Sequence, residues 1–122
     1  MNIAALSSFP FEDAQNIRDK VRKYKNAAMA DLKERNVGEV RYIILDLSPM
    51  SHVDTTALHV IEDMYTTQHN AGVQICFCNP GIKVVERFVV SGFVDLVGRE
   101  HFFPAVIDAV QFCLTDMESR MQ

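Results

Sequence analysis

The fold class this sequence predicts is a small α/β sandwich, a central and mostly parallel β-sheet flanked by about four helices. Three observations predict it. Apolar runs of strand length alternate along the chain with segments whose apolar residues recur every three or four positions. The connections are short, so strands separated by a helix become parallel βαβ crossovers. The central run, "VRYIILDL" at residues 40–47, shows little alternation, as expected of a strand covered on both faces.

Residues 1–11 carry a weak strand signal, and Pro10, which has no amide hydrogen, confines any ladder there to an edge or an end. From residue 12 to residue 35, Ala14, Ile17, Val21, Tyr24, Ala28 and Leu32 form a helical stripe. Glu12 and Asp13 suit the positive end of that helix, the later bases suit its negative end, and "NVG" at 36–38 supplies a stop. The stripe becomes ambiguous at "NAAMA", where the helix is expected to break. After the strand at 40–47, Pro49 disfavours a helical conformation at Ser48, so "SPMSHVD" is a loop.

Asp54 then has the character of an N-cap, its carboxylate accepting from the amide of Thr56 or Ala57. Behind it Ala57, Leu58, Ile61, Met64 and Tyr65 make an inward helical face that ends at Asn70 or Gly72. "VQICFC" at 73–78 alternates, with Val73, Ile75 and Phe77 on one side and Gln74, Cys76 and Cys78 on the other. Asn79 is expected to cap a short helix with Pro80 at its first position, Ile82, Val85 and Phe88 inward and Gly92 as its stop. "FVDLV" at 93–97 is predicted to be a further strand. A last helix carries Val106, Ala109, Val110, Cys113 and Met117 on one side.

Composition narrows the function. A chain of 122 residues is one domain, residues 1–122, able to bury roughly two thirds of its unfolded surface. Its formal charge of -4 argues against a nucleic-acid partner, since phosphate contacts need clustered Lys and Arg. The basic run "RDKVRKYK" is the solvated face of a helix. Three cysteines are an odd number without a disulfide-framework spacing, which predicts buried, reduced thiols in a cytosolic setting. No signal peptide is expected, and no apolar run approaches the roughly 20 residues that cross a bilayer as a helix.

Phosphate-binding, dinucleotide-binding, zinc-protease and serine-hydrolase motifs are all missing from the sequence, so no catalytic residue, cofactor or metal ligand is assigned. The chemistry that remains collects where strands end and helices begin, at residues 46–56 and 78–81. Asp46 ends an apolar strand beside Asp54 and Thr55. It either accepts hydrogen bonds from nearby amides or takes part in metal-assisted phosphoryl chemistry of a small phosphatase, although "DLS" lacks a second acid two residues on. Thr55 and Thr56 either start a helix and nothing more, or offer a hydroxyl in a first turn where an added phosphate gains from free amides and the helix dipole.

The stretch "YIILDLSPMSHVDTTALHVIEDM" resembles the signature of the STAS family, in which an apolar strand runs through an L-D-L-S-type turn into D-S-S-G or D-T-S-G and a helix. "NPGIKVVERFVVSGF" and "GREHFFPAVIDAV" are similar to the C-terminal cytoplasmic domain of SulP-type sulfate and anion transporters, and the likeness covers residues 12–115. The resemblance implies a STAS-type sandwich and a soluble, non-enzymatic regulatory domain on the cytoplasmic side of a membrane, part of an integral membrane transporter. It implies docking around residues 48–58, with Thr55 at the position phosphorylated on serine in bacterial relatives. Asp46, Ser48, His52, Asp54, Thr56 and Ala57 form the surrounding surface, Ala57 standing where the motif has glycine. The implied partners are the membrane domain of its own transporter, a regulatory kinase or other cytosolic protein, and a second copy of the chain in a homodimer. The alternative is a free-standing partner-switching protein like the anti-sigma factor antagonists.

Overall fold

The computed structural model describes residues 3–10, 19, 21–23, 25–27, 30 and 38–120. Four strands lie among them: β1 (Ile3–Pro10), β2 (Gly38–Asp46), β3 (Gln74–Cys78) and β4 (Phe102–Phe103). All are parallel, and they are hydrogen-bonded in chain order. From residue 38 onward the helices are α1 (Thr55–Asn70), α2 (Ile82–Ser91), α3 (Phe93–Val97) and α4 (Val106–Arg120), with a 3-10 turn at Arg99–His101. The predicted α/β class and largely parallel sheet are what the chain forms. β1 lies at a sheet edge and ends with Pro10 opposite Asp46, a position that suits a residue without an amide hydrogen.

Sequential parallel order has a geometric consequence. Crossovers of one hand, stepping in one direction across a sheet, place their helices on the same face. Val21 between β1 and β2, then Leu58, Ile61, Met64 and Tyr65 of α1, Val84 and Phe88 of α2, and Phe93 and Val97 of α3 share one core with Ile43, Leu45, Ile75 and Phe77. The opposite face presents Tyr42, Ile44, Cys76 and Cys78, and α4 covers it with Ala109 and Cys113. Val106, Val110, Phe112 and Met117 pack at the margin of this second core. The alternation expected for residues 73–78 and the inward faces expected of α1 and α4 are therefore the observed ones.

Three expectations are corrected. Residues 93–97 are the short helix α3, and the fourth strand is Phe102–Phe103 instead. Alternation over "FVDLV" would have put Asp95 on the same side as Phe93 and Val97. One helical turn brings Phe93 and Val97 together into the core and leaves Asp95 exposed. Gly92, at φ 83°, makes this possible by ending α2 in the left-handed region and starting α3 in a new direction. Asn79 does not cap α2, since the cap is Gly81, and Asn79 itself takes φ 56° in the turn leaving β3. The buried face of α2 is Val84 and Phe88, whereas Ile82 is 79% exposed and Val85 lies at the rim. Val84 and Phe88, four apart, turn together toward the sheet, which leaves Ile82 about 200° round the helix axis from Val84.

The helical stripe predicted for residues 12–35 is only partly within the described residues. Residues 19, 21–23, 25–27 and 30 are helical, and Val21 is fully buried. Ala14, Ile17, Tyr24, Ala28 and Leu32, the acids at 12 and 13 and the stop at 36–37 lie outside them.

The first core is closed by a group of phenylalanines contributed by four elements. Phe77 stacks on Phe102 at 5.2 Å between ring centroids and meets Phe93 edge-on at 5.5 Å, while Phe88 and Phe93 stand 4.9 Å apart. Phe93→Ala is expected to lower the unfolding free energy by about 3–5 kcal/mol in urea denaturation followed by circular dichroism. Val90→Ser, at a position 84% exposed, should change it by less than about 0.5 kcal/mol.

Candidate functional site

The parallel sheet delivers the C-terminal ends of β2 and β3 and the starts of α1 and α2 to one edge, the side on which open α/β sheets commonly carry their sites. Asp46 is the last residue of β2. Its Oδ1 accepts from the Ser48 amide at 3.0 Å, a two-residue turn that bends the chain out of the strand, and from the Asn79 side-chain amide at 3.3 Å. Leu47 extends the ladder by donating its amide to the Cys78 carbonyl at 2.8 Å, and the Met50 amide reaches the Leu47 carbonyl at 2.9 Å.

The loop that follows is anchored at three-residue intervals. Leu47, Met50 and Val53 are buried, whereas Ser48, Pro49, Ser51, His52 and Asp54 between and after them are exposed. His52 shares a 3.1 Å hydrogen bond between its Nδ1 and the Ser51 hydroxyl. Asp54 caps α1 in extended geometry, with Oδ1 accepting from the Ala57 amide at 2.7 Å. Of the two capping targets read from the sequence, Ala57 is the one used.

With Asp54 as cap, Thr55 is the first residue of α1 and is exposed, as is Thr56, while Ala57 is half-buried. The Thr55 hydroxyl accepts a 2.5 Å hydrogen bond from Nη2 of Arg87, a residue of α2. Among the described residues, no hydrogen bond joins the Asp46–Ser48 turn directly to Asp54 or Thr55. Two neighbouring constellations therefore share one edge: a closed turn around Asp46, and a helix tip where Thr55 meets Arg87.

Electrostatics separates their roles. Burial pushes the Asp46 carboxyl up, but the amide and hydroxyl of Ser48 and the side chain of Asn79 outweigh it and hold the group below its ordinary value. An acid held ionised as a hydrogen-bond acceptor suits a structural turn better than proton transfer. No cluster of three or more His, Cys, Asp or Glu suited to a metal ion occurs among the described residues.

Sequence reasoning missed Asn79 as partner of Asp46 and Arg87 as partner of Thr55. They lie 33 and 32 positions away in the chain, and no local spacing signals either pairing. In the sequence, Arg87 is one more charge on an amphipathic helix.

A family described as the STAS domain matches residues 8–109. "Sulfate transporter 1.2" of Arabidopsis thaliana is 23% identical over 121 residues, 99% of this chain and 18% of that protein. "Sulfate transporter 4.1, chloroplastic", of the same plant, is 33% identical over 111 residues, 89% of this chain and 16% of that protein. The chain thus spans less than a fifth of the length of these curated relatives. The solved SulP transporter STAS domain of Vibrio cholerae shares the fold, with a TM-score of 0.70 at 21% identity over 98% of this chain and 88% of that one.

Removing the cap in Asp54→Ala should cost about 0.5–2 kcal/mol of stability, read from the midpoint of urea unfolding. Asp46 contributes a pH dependence of known sign. Its folded-state value is depressed, so its stabilisation is complete above the ordinary carboxyl value of 3.8 and is lost as pH falls through the lower folded value. Asp46→Asn should accordingly lose less stability than the parent chain between pH 5 and pH 2, measured by denaturation at a series of pH values.

Proposed function

The chain belongs to the STAS domain family, and on that premise we propose that it is the cytoplasmic docking domain of a membrane anion transporter, one for sulfate, with Thr55 as a charge switch. It works by contact and not by turnover. The reading is supported by the curated sulfate transporters that match nearly the whole chain while extending far beyond it. None of the described helices is long and apolar enough to cross a membrane, so under this reading the transport path lies in the remainder of the transporter.

The observation that carries the switch is the exposed Thr55 hydroxyl, already in contact with a guanidinium at the tip of a helix. A phosphate there would bring about -1.5 to -2 charges and three acceptor oxygens to unpaired first-turn amides and to Arg87, with Asp54 in opposition. Such a modification changes the charge of the docking surface without removing the cap, because the capping oxygen belongs to Asp54.

The surface beside the switch also suits a protein partner. Val90 lies one turn beyond Arg87 on α2 and is 84% exposed. The partner under this reading is the membrane domain of the same transporter, and the enzyme acting on Thr55 is a regulatory kinase.

In the full transporter, at matched surface expression, Thr55→Ala should abolish regulation of sulfate uptake and Thr55→Glu should mimic its modified state. A shift of about fivefold or more in the affinity between this domain and the membrane domain is expected, the low end of ordinary site-to-site coupling. Adding Arg87→Ala should blunt the Thr55→Glu effect. Uptake and regulation unchanged in both Thr55 variants would overturn the switch.

A further inference from the structure

The face of the sheet that α4 covers holds all three cysteines of the chain as free, buried thiols. Cys76 on β3 and Cys113 on α4 are each fully buried, and their Sγ atoms stand 3.8 Å apart. A disulfide brings two sulfurs to about 2.05 Å. The two sulfurs must therefore close by about a further 1.8 Å, which requires side-chain rotation and a shift of α4 against the sheet. Cys78 lies two residues along the same face of β3, but no sulfur–sulfur contact joins it to Cys113.

The two elements bearing the pair are held together without a backbone ladder. Side-chain packing joins α4 to the sheet, together with a hydrogen bond that the Tyr42 hydroxyl donates to Asp116. We propose that Cys76 and Cys113 form a redox latch, a pair whose oxidation to a disulfide fastens α4 covalently to the sheet.

The oxidant class is a peroxide. One thiolate attacks the O–O bond, forming a sulfenic acid and releasing water after proton transfer. The second thiolate attacks that sulfenic sulfur, closing the S–S bond and releasing a second water. Two thiols and one hydrogen peroxide thus become one disulfide and two waters.

Access to this chemistry depends on α4. The sulfur contact with Cys113 and then burial raise the Cys76 thiol above its ordinary range, and burial pushes Cys78 up to about 12. Cys76, fully buried under the helix and raised in this way, is protonated and a poor nucleophile, so the bond forms when α4 lifts from the sheet and is retained when it settles back.

The test treats the intact reduced chain with hydrogen peroxide. Its mass should fall by two hydrogens, and peptide mapping should join residue 76 to residue 113. Closing a loop across 37 positions should raise the thermal unfolding midpoint by on the order of 10 °C. Cys78→Ser should retain the bond and the shift, and Cys113→Ser should lose both. Tyr42→Phe, which removes one hydrogen bond between the sheet and Asp116 of α4, should form the bond faster.

The parent chain by itself is decisive if a variant misfolds. A chain that acquires no Cys76–Cys113 bond, that bridges through Cys78, or that gains the bond without a higher midpoint would overturn the latch. A Tyr42→Phe rate no faster than the parent's would overturn its control by α4.

Discussion

A parallel sheet wound in one direction leaves one of its faces bare unless a helix outside the crossovers returns to cover it, and α4 is that helix. Much of the architecture follows from this constraint. Ile43, Leu45, Ile75 and Phe77 meet the crossover helices, so the alternate positions Tyr42, Ile44, Cys76 and Cys78 need a cover of their own. The cover is made where α4 places the small residues Ala109 and Cys113 against the strands. The large ring of Tyr42 fits there because its hydroxyl reaches Asp116 rather than remaining unpaired among apolar atoms.

The same winding gathers unsatisfied polar groups at the opposite end of the strands. Backbone amides at a strand exit and in the first helical turn lack partners within their own elements. Two acids meet that need, Asp46 for the turn at Ser48 and Asp54 for the amide of Ala57. Because Asp54 occupies the capping position, Thr55 has no capping duty and its hydroxyl remains at the surface, within reach of Arg87. The contrast between a closed acid turn and an open hydroxyl follows from which residue caps the helix.

α2 connects the two halves of this picture. Its inner face holds Val84 and Phe88 in a cluster of rings drawn from β3, α3 and β4, which sets the rotation of the helix about its axis. That rotation delivers Arg87 to the Thr55 hydroxyl and turns Ile82 and Val90 outward. A packing requirement in the core thereby shapes the chemistry of the surface above it.

The sequence by itself determined the α/β class, the double burial of residues 42–45, the inward faces of α1 and α4 and the cap at Asp54. Each follows from apolar period or from a capping acid, signals that act over a few residues. Tertiary structure decided the rest. Residues 93–97 became a helix because Phe93 and Val97 could enter one core together, and α2 turned inward on Val84 and Phe88 because the phenylalanines of other elements met it there. The pairings Asp46 with Asn79, Thr55 with Arg87 and Cys76 with Cys113 join positions 32 to 37 residues apart. No local pattern encodes such distances; they exist only once parallel crossovers have brought strand ends and helix starts to a common edge and α4 has closed over the second face.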